Sequence, residues 1–324
     1  MGSVSETAEA EPGTLSEPGT EPGGRSPSRL RSARVYLYLL PAAVLLVAIF
    51  AVPLAESVVL SLQKSVGLAG TSGWAGFANF ARQLSSGLFW QVAWQTVIWT
   101  VAVVGMTTVI AIALAALLRE PFRGRSVIRA LLMIPWASSI AVSAIVWQFG
   151  LVPGGLIDRS LTLLGLKSAI LPWLANTPQA FVVLIFVGVW VSVPFTMLII
   201  LAGMNGIPRE VYDAASLESP SRIRLEWSIT LPLLRYVILI SLMSNFVVVF
   251  NSFPIIYVMT QGGPVNKTNI LATYLYEKAF TDLDFGDASA IAVLVSLALL
   301  VATFIYVRML VHRPGRFERQ AHIG

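Results

Sequence analysis

Six long apolar segments constrain this chain more than any other feature of its sequence. At 1.5 Å of rise per helical residue, each segment can cross a hydrocarbon core about 30 Å thick. A segment inside a bilayer must satisfy its own backbone hydrogen bonds, and an α-helix does so. We therefore predict an all-α polytopic membrane protein. Its six transmembrane helices are expected at 35–62, 92–118, 127–151, 178–202, 233–259 and 288–310.

The composition supports this fold class. Of the 324 residues, 56% are hydrophobic and only 12% are charged, whereas a soluble domain carries about 25% charged residues. Most of the surface is therefore expected to face the lipid bilayer rather than water. The chain contains no cysteine, which excludes disulfides, thiolate metal sites and a cysteine nucleophile.

The distribution of basic residues predicts the orientation of the helices. Of the 22 lysines and arginines, 16 fall on the side of the predicted spans that holds both ends of the chain. Because cytoplasmic loops carry the excess of positive charge, both termini are predicted to be cytoplasmic. The net charge of +5 is thus spread over several loops, and nucleic acid is not expected as a partner.

The two ends of the chain differ from its middle. Residues 1–34 are rich in Pro, Gly, Ser, Thr and Glu, and such a segment buries too little apolar surface to offset the entropy of ordering. We predict a disordered cytoplasmic tail at 1–34, a transmembrane domain at 35–310 and a cytoplasmic tail at 311–324.

A charged segment, PREVYDAASLESPSRIRLEWSITLPLL at 208–234, separates the fourth and fifth predicted spans. An apolar stripe at helical spacing predicts a first short helix in this segment. The members of the stripe are Ile207, Val211, Ala214 and Ala215. Glu210 and Asp213 lie in the first turns, where the helix dipole favours acidic residues.

A second short helix is expected after a break in the same segment. Ser219 can cap this helix and Pro220 can open it, with Ile223 and Trp227 on one face and Arg222 elsewhere. Small apolar contact residues with mixed charge at the rim are typical of a docking surface. The alternative is an amphipathic connector that lies on the lipid headgroups.

We call residues 203–232 the charged loop; they include most of this segment and the five residues before it. The charged loop resembles the cytoplasmic loop of binding-protein-dependent ABC importer permeases. The motif of that family reads Glu-Ala-Ala, three residues, Gly, and about nine residues to Ile-x-Leu-Pro. The matching residues are Asp213-Ala214-Ala215, Ser219 and Ile229-Thr230-Leu231-Pro232. Asp213 therefore stands for the usual Glu, and Ser219 for the usual Gly.

The resemblance implies a role for this loop. In that family the loop forms coupling helices that insert into a cleft on the ATPase subunit. The residues to which the resemblance assigns this coupling are Glu210, Asp213, Ala214, Ala215, Ser219 and Arg222.

Three more segments resemble the carbohydrate branch of these permeases, which includes maltose, trehalose and glycerol-phosphate importers. They lie at 131–136 (LLMIPW), 254–280 and 285–296, and the whole resemblance covers about residues 35–310. It implies a type I importer permease in a bacterial cell membrane. The implied partners are a second homologous permease, two ATP-binding subunits, an extracytoplasmic solute-binding protein and a sugar.

The sequence offers no catalytic machinery of its own. It contains no phosphate-binding Gly-x-x-x-x-Gly-Lys-Ser/Thr motif, and its two histidines, His312 and His322, lie in the C-terminal tail. We expect a non-enzymatic chain with no metal or cofactor, in which a partner binds ATP. The alternative is an ion-coupled secondary transporter, although Glu56 is the one ionisable residue away from the ends of the predicted spans.

The fifth predicted span carries a polar stripe. Ser241, Ser244, Asn245, Asn251 and Ser252 fall on one helical face. Hydroxyl and amide groups can donate to and accept from sugar hydroxyls, so a substrate path is predicted at Ser241, Asn245, Asn251 and Ser252. The alternative is hydrogen bonding between helices. Prolines 135, 194 and 254 are expected to kink their spans.

Overall fold

The computed structural model describes residues 38, 40–65, 67, 70–217 and 221–311. The predicted tail at 1–34, and all of the one at 311–324 except Val311, lie outside the described residues, so the predicted domain boundaries stay predictions. The chain divides into one unit that ends at Leu54 and a second that runs from Ala55 onward.

The described regular structure is predominantly helical. Helix α1 spans Leu40–Ser61, with a π-helical turn at Val47–Ala51. An antiparallel hairpin follows, with β1 at Gln63–Ser65 and β2 at Thr71–Trp74. The next helices are α2 (Ala78–Ser85), α3 (Gly87–Arg119), α4 (Arg125–Ala137), α5 (Ile140–Leu151), α6 (Leu156–Leu163) and α7 (Thr177–Asn205).

The second half of the chain is also helical. Its helices are α8 (Arg209–Ser216), α9 (Arg222–Leu225), α10 (Leu231–Leu233), α11 (Arg235–Phe250), α12 (Phe253–Thr260), α13 (Leu271–Tyr276) and α14 (Phe285–Val311). π-Helical turns at Glu226–Thr230 and Glu277–Thr281 follow α9 and α13.

The apolar helices confirm the predicted all-α polytopic fold. Within the described part of the chain, five helical segments are long and apolar enough to cross a membrane, with α11 and α12 (Arg235–Thr260) counted together as one, or six if the bent pair α4–α5 is also counted as one span. Each of the six predicted spans overlaps one of these. The orientation of the termini stays a prediction.

The third predicted span, 127–151, is not one helix, and this part of the prediction is wrong. Helices α4 and α5 meet at an angle of 96°, because Ser138 and Ser139 adopt extended backbone conformations. The hydroxyl of Ser138 donates to the carbonyl of Pro135 at 3.0 Å and lies 2.8 Å from the hydroxyl of Ser143. Local hydroxyl groups therefore hydrogen-bond at the break, which makes it tolerable within an apolar sequence.

The fifth predicted span is also interrupted. Helix α11 ends at Phe250, and α12 begins at Phe253 with Pro254 in its first turn. Proline lacks an N–H donor, so the helix can restart there with no lost hydrogen bond. By contrast, Pro194 lies inside α7, which runs without a break to Asn205.

Helices α3 and α7 pack against each other along most of their length. Near one end, Trp99 and Val103 of α3 contact Leu184 and Val187 of α7 in a buried cluster. Near the other end, a second buried cluster joins small residues of α3 to larger ones of α7. Its members include Ala111, Ala115, Leu118, Met197, Ile200 and Met204.

Gly188 of α7 permits this close approach. A Cβ atom added there would lie 2.8 Å from Cη2 of Trp99 and 3.1 Å from Cγ2 of Val103. Trp99 is fully buried and cannot move aside cheaply. We expect Gly188→Ala to lower the free energy of unfolding by about 1–3 kcal/mol, measured as a lower midpoint of thermal unfolding in detergent.

Gly105→Ala is the matched control for this prediction. Gly105 lies inside α3, and a Cβ atom added there meets no atom within 4 Å. Alanine is the better helix former by about 1 kcal/mol, so this variant should unfold at the same temperature as the unchanged protein or higher. Equal midpoints for the two variants would show that Gly188 is not a close-packing position.

A polar network joins α2 to the first turn of α14. Asp287 is 4% exposed; its carboxylate lies 3.0 Å from Nη1 of Arg82 and accepts from Nε2 of Gln83 at 2.8 Å. Asn79 donates to the carbonyl of Gln63 in β1 at 2.8 Å. The hairpin, α2 and α14 are therefore fixed to one another at this end of the bundle.

Candidate solute cavity and docking loop

Six helices line a cavity of about 270 Å³. The lining residues come from α3, α4, α5, α7, α11 and α12, with Ser138 and Ser252 from the two breaks. Its volume is close to the lower end of the range for small-molecule sites, about 300–1,000 Å³. The lining residues used below are Trp99, Trp136, Ser138, Ser192, Phe195, Ser241, Ser244, Asn245 and Ser252.

Both interrupted spans meet this cavity at their breaks. Ser138 lies between α4 and α5, Ser252 lies between α11 and α12, and both residues line the cavity. Irregular backbone within a membrane is tolerated where it is buried in protein or lines a cavity, and binding sites of transporters are commonly built there. The two breaks thus mark the cavity as the candidate site.

Two polar atoms in the wall lack a protein partner. Ser241 is 1% exposed and Asn245 is 8% exposed, yet Oγ of Ser241 and Nδ2 of Asn245 make no hydrogen bond within the described residues. An unsatisfied buried polar group costs about 1–3 kcal/mol. A solute with hydroxyl groups could satisfy both atoms.

Aromatic rings form much of the remaining wall. Trp136 of α4 stacks on Phe195 of α7, with ring centroids 5.6 Å apart and an angle of 7° between the planes. The indole N–H of Trp99 donates to the carbonyl of Val249 at 2.9 Å and fixes α3 to the end of α11. Sequence reasoning missed these three aromatic residues, because nothing in an apolar helix distinguishes a cavity-lining ring from one that faces lipid.

The structure brings together three of the four residues of the predicted substrate path. Ser241, Asn245 and Ser252 line the cavity, and so does Ser244. Asn251 does not; it is exposed, and its side-chain amide donates to the carbonyl of Val247 at 3.1 Å. The prediction assumed a continuous helix, and the break at 251–252 turns Asn251 out of the stripe.

The charged loop contains the expected pair of short helices, α8 and α9. Pro208 immediately precedes α8, and Asn205 is the last residue of α7. Tyr212 of α8 joins the two halves of the loop, since its hydroxyl lies 3.3 Å from Oγ1 of the buried Thr230.

The predicted coupling residues differ in accessibility. Glu210, Asp213 and Ala214 are exposed and Ala215 is half-buried. Arg222 begins α9. Ser219, and the side chain of Arg222, lie outside what the structure describes.

The apolar stripe of α8 is partly buried at its start and largely exposed further along the helix. Ile207 packs against the buried cluster of α3 and α7, whereas Val211 and Ala214 are exposed. On the second half of the loop, Ile223 is 73% exposed and Trp227 is 70% exposed. Val211, Ala214, Leu217, Ile223 and Trp227 are therefore among the apolar side chains available to a partner.

The described residues contain no group of three or more His, Cys, Asp and Glu side chains that could hold a metal ion. The absence of a cofactor stays an expectation from the sequence.

Apolar helices around a partly polar cavity, with broken spans at its wall, are an architecture of membrane transport proteins. The chain belongs to the family described as binding-protein-dependent transport system inner membrane component, whose profile matches residues 107–316. The predicted resemblance to this family and the predicted membrane location are thus confirmed.

Similar proteins support this assignment. The chain is 45% identical to a probable ABC transporter permease protein of Brucella suis biovar 1, over 72% of this chain and 81% of that protein. It is 32% identical to the trehalose/maltose transport system permease protein MalF of Thermococcus litoralis, over 90% of this chain and 97% of that one.

A solved structure matches the fold. A chain of the bacterial alginate ABC transporter, crystallised with an alginate pentasaccharide-bound periplasmic protein, aligns with a TM-score of 0.74. The alignment covers 86% of this chain and 94% of that one at 20% sequence identity, so it speaks for the fold alone.

Proposed function

We propose that this chain is a membrane-spanning permease subunit of an ATP-driven importer for a sugar or a sugar-like solute. The observation that carries the proposal is the chemistry of the cavity. Its described lining contains serine, threonine, asparagine, aromatic and aliphatic side chains but no ionisable one. Such a wall suits a neutral solute with hydroxyl groups, which hydrogen-bonds to amides and hydroxyls and stacks on aromatic rings.

The same lining argues against the ion-coupled alternative. Proton and ion relays in transporters use ionisable groups within the membrane, and the described cavity wall offers none. The energy for uptake is then supplied by a partner that binds and hydrolyses ATP, and this chain itself is not an enzyme.

The importer we propose has several subunits. This chain forms one half of the translocation path, and a second homologous permease forms the other. Two ATP-binding subunits act from the cytoplasm, and an extracytoplasmic binding protein delivers the sugar. The family assignment and the similarity to a trehalose/maltose permease support this composition.

The charged loop is the proposed docking surface for an ATP-binding subunit. Val211, Ala214, Ile223 and Trp227 present apolar surface, and the same helices carry exposed charged residues, Glu210, Asp213 and Arg224 among them. A centre of apolar contacts with a charged rim is the usual construction of a protein interface. Closure of the ATP-binding subunits would then move α8 and α9 and reorient the helices around the cavity.

Co-purification tests this proposal. An affinity tag on this chain, co-expressed with candidate genes for the other proposed subunits, should retain a second permease and an ATP-binding subunit. A panel of mono-, di- and oligosaccharides, each with the binding protein, should include a sugar that stimulates ATP hydrolysis. A permease that purifies alone, with uptake that needs no nucleotide, would overturn the proposal.

A further inference from the structure

Arg119 is the last residue of α3, and its side chain reaches both halves of the charged loop. Its Cζ lies 4.1 Å from the centroid of the Tyr212 ring in α8, within the range of a cation–π interaction. Its Nη1 lies 3.7 Å from Oε1 of Glu226, in the turn that follows α9. The guanidinium group therefore contacts both α8 and the turn that follows α9, which are separate elements of the charged loop.

The ion pair between Arg119 and Glu226 is incomplete in this conformation. A distance of 3.7 Å exceeds that of a charge-assisted hydrogen bond, and Nη1 of Arg119 and Oε2 of Glu226 have no hydrogen-bond partner within the described residues. The two side chains are only 16% and 23% exposed, so water screens the pair weakly. A movement of about 1 Å would bring the two groups into direct hydrogen-bond contact.

Arg119 gives α3 a direct side-chain connection to the charged loop, in addition to the packing of α3 against α7. The chain itself joins the charged loop to α7 at one end and to α11 at the other. The cavity, however, is lined by α3 as well, through Trp99 and Val103. These residues lie about 24–30 Å along the helix from Arg119, at 1.5 Å per residue.

We infer that Arg119 is the positioning residue that transmits movement of the charged loop to α3. The inference rests on the proposed function, since it assumes that an ATP-binding subunit moves the loop. When α8 and α9 shift, the guanidinium group completes its pair with Glu226 while it remains on the Tyr212 ring. Helix α3 then moves together with α7 and α11, so the parts of the cavity wall that these three helices form move as one body.

A single cysteine in the cavity can report this movement, because the chain has no cysteine of its own. Ser192 lines the cavity, and Ser192→Cys changes the side chain little. In inverted membrane vesicles from cells that produce the whole importer, a membrane-impermeant maleimide reaches this thiol from the cytoplasmic side. ATP with vanadate should slow the labelling by about tenfold, within the range of coupling between sites.

Three further variants in this background test Arg119. Arg119→Met keeps an unbranched apolar stem but removes the guanidinium group and its charge, and should reduce the effect of nucleotide on labelling to less than about twofold. Arg119→Lys keeps the charge without the planar guanidinium group and should restore part of the response. Arg123→Met is the matched control, because Arg123 is exposed in the loop that follows α3; it should respond like the parent.

The outcomes separate this inference from the proposed function. Loss of the response in Arg119→Met, with the ATP-binding subunit still bound and still hydrolysing ATP, supports a transmitting role. A full response in Arg119→Met overturns the inference, and so does loss of the bound ATP-binding subunit, which would make Arg119 a docking residue. No nucleotide response in the Ser192→Cys parent would instead contradict the proposed function.

Discussion

Ala214→Arg is expected to abolish sugar-stimulated ATP hydrolysis by the assembled importer. Ala214 lies on the exposed face of α8, where its small side chain allows a partner to approach the backbone. An arginine there would place a bulky, unpaired charge in the interface, at a cost of a few kcal/mol, on the order of a hundredfold in coupling. The measurement is ATPase activity in nanodiscs with and without the stimulating sugar.

Ala175→Arg is the matched control for Ala214→Arg. Ala175 is exposed in the segment between α6 and α7, on the predicted opposite side of the membrane, and its replacement adds the same charge and bulk. It should leave sugar-stimulated ATP hydrolysis unchanged, and both variants should accumulate in the membrane like the unchanged protein. Normal stimulation in Ala214→Arg would exclude this face of α8 as the docking surface.

Asn245→Leu is expected to reduce sugar uptake by about tenfold or more. The substitution keeps the approximate volume of the side chain but removes the buried amide, whose Nδ2 has no partner in the described protein. Loss of a hydrogen bond to the solute would cost about 1.5 kcal/mol, equal to about tenfold in affinity. The measurement is the initial rate of uptake as a function of sugar concentration.

Asn251→Leu makes the same substitution outside the cavity. The amide of Asn251 is exposed and donates to the carbonyl of Val247 in the preceding helix, α11, so its removal should change uptake less than about twofold. A greater loss in Asn251→Leu than in Asn245→Leu would mean that the solute follows a different path. If Asn245 made only an interhelical contact, Asn245→Leu would instead lower thermal stability and leave the dependence of uptake on sugar concentration unchanged.

Hydropathy alone predicted most of the fold. Long apolar segments have one stable solution in a bilayer, the helix, so α3, α7 and α14 could be predicted within a few residues. Pro135 and Pro254 predicted a kink in each of the two interrupted spans, but the complete breaks at 138–139 and 251–252 could not be predicted, because the serines at 138 and 139 count as mildly polar residues in an apolar run. At this break the extended backbone is accompanied by a hydrogen bond between the hydroxyl groups of Ser138 and Ser143.

The candidate site was predicted only in part, for the same reason. Asn245 and Ser241 are four residues apart on an unbroken helix, and their shared face could be predicted from the 3.6-residue period. Asn251 lies beyond the end of α11, where that period no longer applies. Arg119 had no local signal at all, since its partners Tyr212 and Glu226 are about a hundred residues away in the sequence and only tertiary packing brings them together.

A measurement of what energises uptake tests the account most directly. Proteoliposomes containing the assembled importer, with ATP trapped inside and the binding protein outside, would be given the labelled sugar that stimulates ATP hydrolysis. We predict that uptake requires internal ATP and continues when a protonophore collapses the ion gradient. Uptake that proceeds without ATP-binding subunits, and stops when the gradient is collapsed, would contradict the account.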